Sequence, residues 1–166
     1  MRGGAVGSSL GSISQNQMNT KQIGDIAEQS VILQALKLGW GVCKPVGDRL
    51  PYDLVFDVNG NLIKIQVKSA WLDSRTQNYI VDSRRTKTNR RVMLRTTYNH
   101  NDFDFAIVSI EALQMFYVIP VEVFTGYKSA IHFVEADRRQ RKPQSSEYRE
   151  AWHLILQWAA QLVTTE

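Results

Sequence analysis

The hydrophobic positions near the start of the chain have the spacing of a helix. From Lys21 to Leu38 the apolar residues recur every three or four positions, which places them on one face. Thr20 is positioned to cap the start, and Gly39 follows where a helix normally ends. A second pattern of this kind runs from Glu147 to Val163. The spacing predicts a helix over each of these ranges.

Between the two predicted helices the apolar residues alternate or run continuously, as they do in strands. The predicted strands cover residues 41–46, 52–58, 61–69, 78–82, 91–98, 103–110, 114–120 and 130–135. A helix, a series of strands and a closing helix predict an α/β or α+β domain with a mixed sheet.

The strongest local signal is the dipeptide Asn59-Gly60, which is favoured in two-residue type I′ hairpins. With these residues in the turn, Asp53 faces Gln66 across the hairpin, with Cβ atoms ~5 Å apart. Lys68 projects from the same face, because side chains alternate along a strand. The opposite face is apolar and predicts a core. One end of the hairpin therefore gathers an acid, an amide and an amine.

Such a group of side chains suits metal-assisted attack on a phosphodiester. Carboxylate, amide and backbone carbonyl oxygens are ligands of hard divalent cations, and a neighbouring lysine can orient or deprotonate a water. Glu28 is a further candidate, because its helical neighbours form an otherwise apolar stripe and an inward-facing charge needs a partner. Taken singly, each of these residues also fits an ordinary structural role, such as Asp53 at a turn or sheet edge.

Composition limits the class of protein. The chain has 166 residues, of which 43% are hydrophobic and 22% charged, which indicates one globular domain with a substantial core. A single cysteine, Cys43, excludes an internal disulfide and favours a reducing compartment. We interpret the Gly- and Ser-rich residues 1–17 as a disordered or non-native leader, with the domain spanning 18–166.

Basic residues are concentrated in two zones. Residues 75–95 hold seven bases and one acid, and residues 138–149 hold five bases and one acid. The first zone is rich in arginine, which suits contacts to phosphates and guanine, so we expect a nucleic-acid partner. We predict that residues 77–98 form a basic β-ribbon arm for the major groove. The expected DNA-binding residues are Arg75, Arg84, Arg85, Lys87, Arg90, Arg91 and Arg95.

The candidate site residues, taken in their order along the chain, resemble the motif of a known nuclease family. Glu28 on a first helix, Pro51-Tyr52-Asp53 entering a hairpin and Gln66-Val67-Lys68 on the next strand resemble the PD-(D/E)xK nucleases. More narrowly, the chain is similar to the PD-(D/E)xK homing endonucleases encoded in cyanobacterial group I introns. The resemblance implies a restriction-endonuclease-like core, cleavage of both strands of a long double-stranded DNA target with Mg²⁺ or Mn²⁺, and a homo-oligomer, with a tetramer favoured over a dimer.

The resemblance also assigns roles to individual residues. Asp53 resembles the bridging metal ligand, Val67 offers its backbone carbonyl, and Lys68 matches the catalytic lysine. Glu28 matches the acidic residue of the first helix, which serves both metal binding and catalysis. Gln66 occupies the D/E position, so the site carries one negative charge less and is expected to bind metal more weakly.

Three functions remain open on these residues. The favoured one is a site-specific homing endonuclease. The same core also supports a nuclease selective for the structure of four-way junctions, in the manner of a Holliday-junction resolvase. The third is a DNA-binding module whose nuclease site is inactive, an alternative motivated by Gln66.

Overall fold

The structure, a computed structural model, describes residues 19–88, 93–135 and 143–163. Its helices are α1 (Thr20–Lys37), α2 (Val121–Gly126) and α3 (His153–Val163), with short 3-10 helices at Glu111–Leu113 and Gln144–Tyr148. Its strands are β1 (Gly41–Cys43), β2 (Leu54–Val58), β3 (Asn61–Ser69), β4 (Trp71–Leu72), β5 (Tyr79–Asp82), β6 (Arg85–Thr88), β7 (Met93–Thr96), β8 (Phe105–Ile110), β9 (Met115–Pro120) and β10 (Ala130–Phe133). Within these residues, no helix is long and apolar enough to cross a membrane.

The largest sheet of the described residues has five strands in the order β1-β2-β3-β8-β9. Strand β3 pairs with β8 in parallel, and the other neighbours are antiparallel. Strand β8 is buried along its whole length because it lies inside the sheet and is covered on both faces. The predicted α/β class with a mixed sheet flanked by helices is confirmed.

The central hairpin has the register that its turn predicts. Leu54 pairs with Ile65 and Val58 with Asn61, as the two-residue loop requires. Asn59 and Gly60 adopt φ angles of 54° and 85°, which a type I′ turn needs at both central positions. The apolar residues of both strands enter the core, which leaves the other face for Gln66 and Lys68.

Two apolar clusters cover the two faces of this sheet. The first lies under α1 and α3, where Trp40 packs against Trp152 with ring centroids 6.1 Å apart. The second lies on the opposite face around Phe103, Phe124 and Tyr117. Trp40 and Trp152 are therefore core residues, each 7% exposed.

The ends of the two predicted helices differ from the sequence expectation. Asn19, not Thr20, caps α1, and its side-chain oxygen accepts from the amide of Gln22 at 2.8 Å. Helix α3 begins at His153 rather than Glu147, because Glu150 adopts a φ of 50°. The Glu150 carboxylate instead accepts from the amide of Phe116 at 2.7 Å, which ties this segment to the end of the sheet.

The arm is shorter than residues 77–98. Strands β6 and β7 form a separate two-stranded ribbon, as predicted, whereas β5 pairs with β10 and β4 in a three-stranded sheet. The reason is burial: Val81 on β5 pairs with Ile131 on β10, and both side chains enter the second core. The arm is therefore confined to the ribbon between Arg85 and Thr96.

Candidate active site

The carboxylate of Asp53 lies where the β2–β3 hairpin opens away from its turn. The Asp53 backbone amide donates to the carbonyl of Ile65 at 2.9 Å, which extends the hairpin by one more residue. Its Oδ2 accepts from the backbone amide of Val67 at 2.8 Å and from Nε2 of Gln66 at 2.5 Å. The side-by-side placement predicted for Asp53 and Gln66 is therefore present.

Gln66 connects two oxygens of this site. Its side chain is buried, and its Nε2 donates both to Asp53 Oδ2 and to the backbone carbonyl of Val67 at 3.1 Å. These are the two oxygens that the resemblance assigns to the metal. In this arrangement both oxygens accept hydrogen bonds from the Gln66 amide group. Rotation of the side-chain amide by half a turn would present Oε1 in place of Nε2.

Lys68 is partly buried on the same face of β3. Its Nζ donates to the backbone carbonyl of Arg84 at 2.9 Å and lies 5.0 Å from the ring centroid of Tyr98. Burial lowers the pKa of Lys68 from its ordinary value, while the charges of Asp53 and Asp82 act in the opposite direction. The amine is thus held beside Asp53 at a position where loss of its proton is easier than in water.

The pKa of Asp53 is shifted upward, whereas that of Lys68 is shifted downward. Burial raises its pKa to about 6, the amide of Val67 lowers it, the charge of Glu28 raises it and that of Lys68 lowers it. A cation bound at the carboxylate would favour the charged form. Asp53 and Lys68 are therefore a buried acid and base whose pKa values are moved toward neutrality, as is common at functional sites.

Glu28 reaches the site from α1, and its partner is Lys44, just beyond β1. Lys44 Nζ lies 2.5 Å from Glu28 Oε2, with the lysine side chain 57% exposed and the glutamate 20%. The hydrogen bond to Glu28 raises the pKa of Lys44. The expectation that Glu28 needs a partner is confirmed, and that partner is a lysine that the sequence pattern did not indicate.

These residues line one open cavity of about 850 Å³. Glu28, Asp53, Gln66 and Lys68 all contribute to its wall. Tyr52 of the Pro51-Tyr52-Asp53 motif also lines it, as do two side chains that the sequence pattern did not connect with the site, Lys44 and Tyr98. The cavity is large enough for a phosphodiester and its attacking water, and it brings all four predicted catalytic side chains to one place.

The donor set fits a hard divalent cation. Asp53 offers a carboxylate, Gln66 an amide oxygen, Val67 a backbone carbonyl and Glu28 a second carboxylate, and oxygen donors of these types suit Mg²⁺. Within the described residues, no group of three or more His, Cys, Asp or Glu side chains is arranged to hold a metal. The oxygens available here are of mixed type, with two carboxylates among them.

Several arginines of the first basic zone have partners within the chain. The Arg84 guanidinium forms two hydrogen bonds to Asp82, at 2.9 and 3.0 Å, and Arg95 lies 3.8 Å from the same carboxylate. Arg85 donates to the backbone carbonyl of Leu50 at 3.0 Å and thus joins the arm to the loop before Asp53. These contacts place three of the predicted DNA-binding guanidiniums at the base of the arm.

The remaining predicted DNA-binding residues are distributed differently. Arg75 is exposed in the turn between β4 and β5 and is not part of the ribbon strands. Lys87 belongs to β6, where it pairs with Leu94. Arg90 and Arg91 lie outside the described residues, as do four of the five bases of the second basic zone.

Comparison with known proteins defines the class. Residues 18–155 match the family model of the PD-(D/E)XK endonuclease, and the chain belongs to this family of nucleases. Among solved structures, that of a bacterial homing endonuclease, I-Ssp6803I, shares 62% sequence identity with it. The match covers 87% of this chain and 97% of that chain, with a TM-score of 0.82. No curated protein gives a significant match.

Proposed function

We propose that this endonuclease is a site-specific homing endonuclease that hydrolyses both strands of a long double-stranded DNA target with a divalent metal, Mg²⁺ being the expected ion. The observation that carries the proposal is the convergence of Asp53, Gln66, the Val67 carbonyl and Lys68 at one end of a hairpin, inside an open cavity. The similarity to a solved homing endonuclease supports the specific function.

The site side chains have separate roles in the proposed phosphodiester hydrolysis. A divalent ion held by Asp53, Gln66 Oε1, the Val67 carbonyl and Glu28 would supply positive charge to the phosphate and the leaving oxygen. Asp53 must be ionised to hold it, and Gln66 must present its oxygen instead of Nε2. Lys68 Nζ donates a hydrogen bond to the attacking water and orients it.

DNA binding is assigned to the β6–β7 arm and its base. A two-stranded ribbon has the right width for the major groove. The proposed contacts to phosphates and bases come from Arg75, Arg84, Arg85, Lys87, Arg90, Arg91 and Arg95. Because Arg85 is hydrogen-bonded to the loop that precedes Asp53, DNA held by the arm lies next to the cavity.

Cleavage of both strands requires two active sites related by a twofold axis, so the protein acts as a homo-oligomer. A tetramer is the proposed assembly, with a dimer as the minimum. The proposed setting is the cytoplasm of a prokaryote, where an enzyme encoded in a group I intron reaches the genome.

One observation favours a second candidate, a DNA-binding module with an inactive nuclease site. The Nε2 protons of Gln66 satisfy the same two oxygens that a metal needs. If this arrangement persists on DNA, the chain binds its target without cutting it.

The test is cleavage of a mixed pool of long duplexes and four-way junctions by the full-length protein with Mg²⁺ or Mn²⁺, with a chelator as the matched control. The proposal expects cuts in linear duplex at one or a few discrete positions, abolished by the chelator. Cutting of junctions alone would instead establish a resolvase. Tight, salt-sensitive binding without cleavage under either metal would establish the binding module.

A further inference from the structure

Lys68 lies at the base of the arm, where it contacts the residues that flank the two strands. Arg84, whose carbonyl accepts from Lys68 Nζ at 2.9 Å, directly precedes β6. Tyr98, whose ring centroid lies 5.0 Å from Nζ, follows two residues after the end of β7. The ammonium therefore touches one group from each side of the ribbon.

The ring of Tyr98 is fixed by other aromatic side chains. It is 7% exposed and packs edge-on against Phe103, with centroids 5.1 Å apart, and against Phe124 at 6.1 Å. These contacts anchor Tyr98 in the second core, so its ring meets Lys68 in a set orientation. A ring held in this way is a fixed surface for the lysine and does not follow its movements.

The face of an aromatic ring suits this position chemically. A cation within about 6 Å of a ring centroid is attracted by the negative ring face, more strongly when it is removed from water. Unlike a carboxylate, the ring attracts the ammonium without taking up a proton or binding a metal. The attraction leaves N–H groups of Lys68 available to the cavity that Tyr98 and Lys68 both line.

We propose that Tyr98 is a positioning residue for Lys68: the face of its ring, together with the Arg84 carbonyl, holds Nζ at the cavity wall beside Asp53. The role in catalysis rests on the proposed nuclease function. It assigns to the aromatic ring itself, and not to the tyrosine hydroxyl, the placement of the amine that handles the attacking water.

The test replaces Tyr98 in the full-length protein by phenylalanine and by its mono-, di- and trifluorinated forms, which weaken the negative ring face step by step with little change in shape. The rate is measured at saturating protein on a duplex that the unmodified protein cleaves. Phenylalanine is expected to keep the wild-type rate. The trifluorinated ring is expected to slow cleavage about tenfold, with DNA affinity measured in Ca²⁺ within twofold of wild type.

Phe103 provides the matched control, because it belongs to the same aromatic cluster and is fully buried. The same fluorinated residues at Phe103 are expected to leave the cleavage rate unchanged. Equal rates across the series at position 98, or equal slowing at 98 and 103, would overturn the role of Tyr98.

A spectroscopic readout separates this inference from the nuclease function. Protons on Cε of Lys68, observed with carbon-13-labelled lysine and assigned by the loss of their signal in Lys68→Arg, are expected to be shifted upfield by the Tyr98 ring. Tyr98→Phe should keep this shift and Tyr98→Leu should remove it. A shift that survives Tyr98→Leu overturns the inference, whereas an unmodified protein that cuts no duplex contradicts the proposed function alone.

Discussion

The two ends of the β2–β3 hairpin are built on opposite principles. At the turn, Asn59 and Gly60 adopt the φ angles that their residue types favour, and Asp57 accepts a hydrogen bond from the Gly60 amide at 2.9 Å. Both turn residues are exposed, so no polar group is forced out of water. Local chemistry and the fold agree at this end.

The open end of the same two strands goes against local preference. It withdraws a carboxylate, an amide and an amine from water, and burial moves the pKa values of Asp53 and Lys68 in the directions that disfavour their charges. Such an arrangement costs stability. The contrast teaches that the turn end specifies the register, while the open end uses that register to hold reactive groups together.

The largest expected effect comes from Asp53→Asn. Cleavage is expected to fall about 1000-fold or more, because the central metal-binding carboxylate is lost. The matched control is Asp57→Asn at the turn end, which should keep the wild-type rate. Single-turnover cleavage at saturating protein measures the rate of both variants. An equal loss of rate in the two would contradict the distinction between the two ends of the hairpin.

The same variant should stabilise the protein without metal. Burial raises the pKa of Asp53 to about 6, so the folded chain keeps a proton that the unfolded chain loses near pH ~3.9. The wild type therefore loses roughly 2 kcal/mol of stability as the pH rises from about 4 to 6, and Asp53→Asn does not. Urea unfolding in chelator at pH 4 and pH 8 measures this. A pH-independent difference between the two proteins would contradict it.

Gln66→Glu should have an intermediate effect on the open end. A carboxylate at position 66 adds a negative charge and removes the Nε2 donor that bridges Asp53 and Val67. We expect the metal concentration for half-maximal cleavage to fall by about tenfold, a change of ~1.4 kcal/mol in metal binding. A titration of cleavage rate with Mg²⁺ measures it, and an unchanged midpoint would show that Gln66 does not face the metal.

The smallest expected effect belongs to Gly60→Ala at the turn. No heavy atom outside the turn lies within 4 Å of the added Cβ, so the cost is that of a positive φ. We expect a loss of about 1 kcal/mol of unfolding free energy, with the cleavage rate unchanged at temperatures where the variant is folded. Denaturant unfolding and cleavage on the same samples test this. A loss of cleavage in the folded variant would mean that the two ends are not separable.

The sequence predicts best what is decided locally. The Asn59-Gly60 turn sets the register, and the register alone brings Asp53 beside Gln66 and places Lys68 on the same face. The inward direction of Glu28 also follows from helical spacing. These residues could be identified because their positions depend on neighbours within one helix or one hairpin.

What the sequence did not reveal depends on contacts between distant segments. Lys44 meets Glu28 only because β1 is packed near α1, and Tyr98 meets Lys68 only because the arm returns to the sheet. The predicted arm over residues 77–98 is too long for the same reason, because β5 pairs with the remote β10. No local pattern in residues 77–98 distinguishes pairing with β10 from pairing within the arm.

The most direct test of the account compares two lysines on one face of β3. Lys68 lies at the open end, and Lys64, toward the turn, donates to the carbonyl of Asn101 at 2.7 Å. Single-turnover cleavage of duplex DNA with Mg²⁺ is measured for Lys68→Met and Lys64→Met, with DNA affinity determined in Ca²⁺. The account predicts that Lys68→Met binds DNA but cuts it about 1000-fold more slowly, while Lys64→Met cuts at the wild-type rate. Wild-type cleavage by Lys68→Met would contradict it.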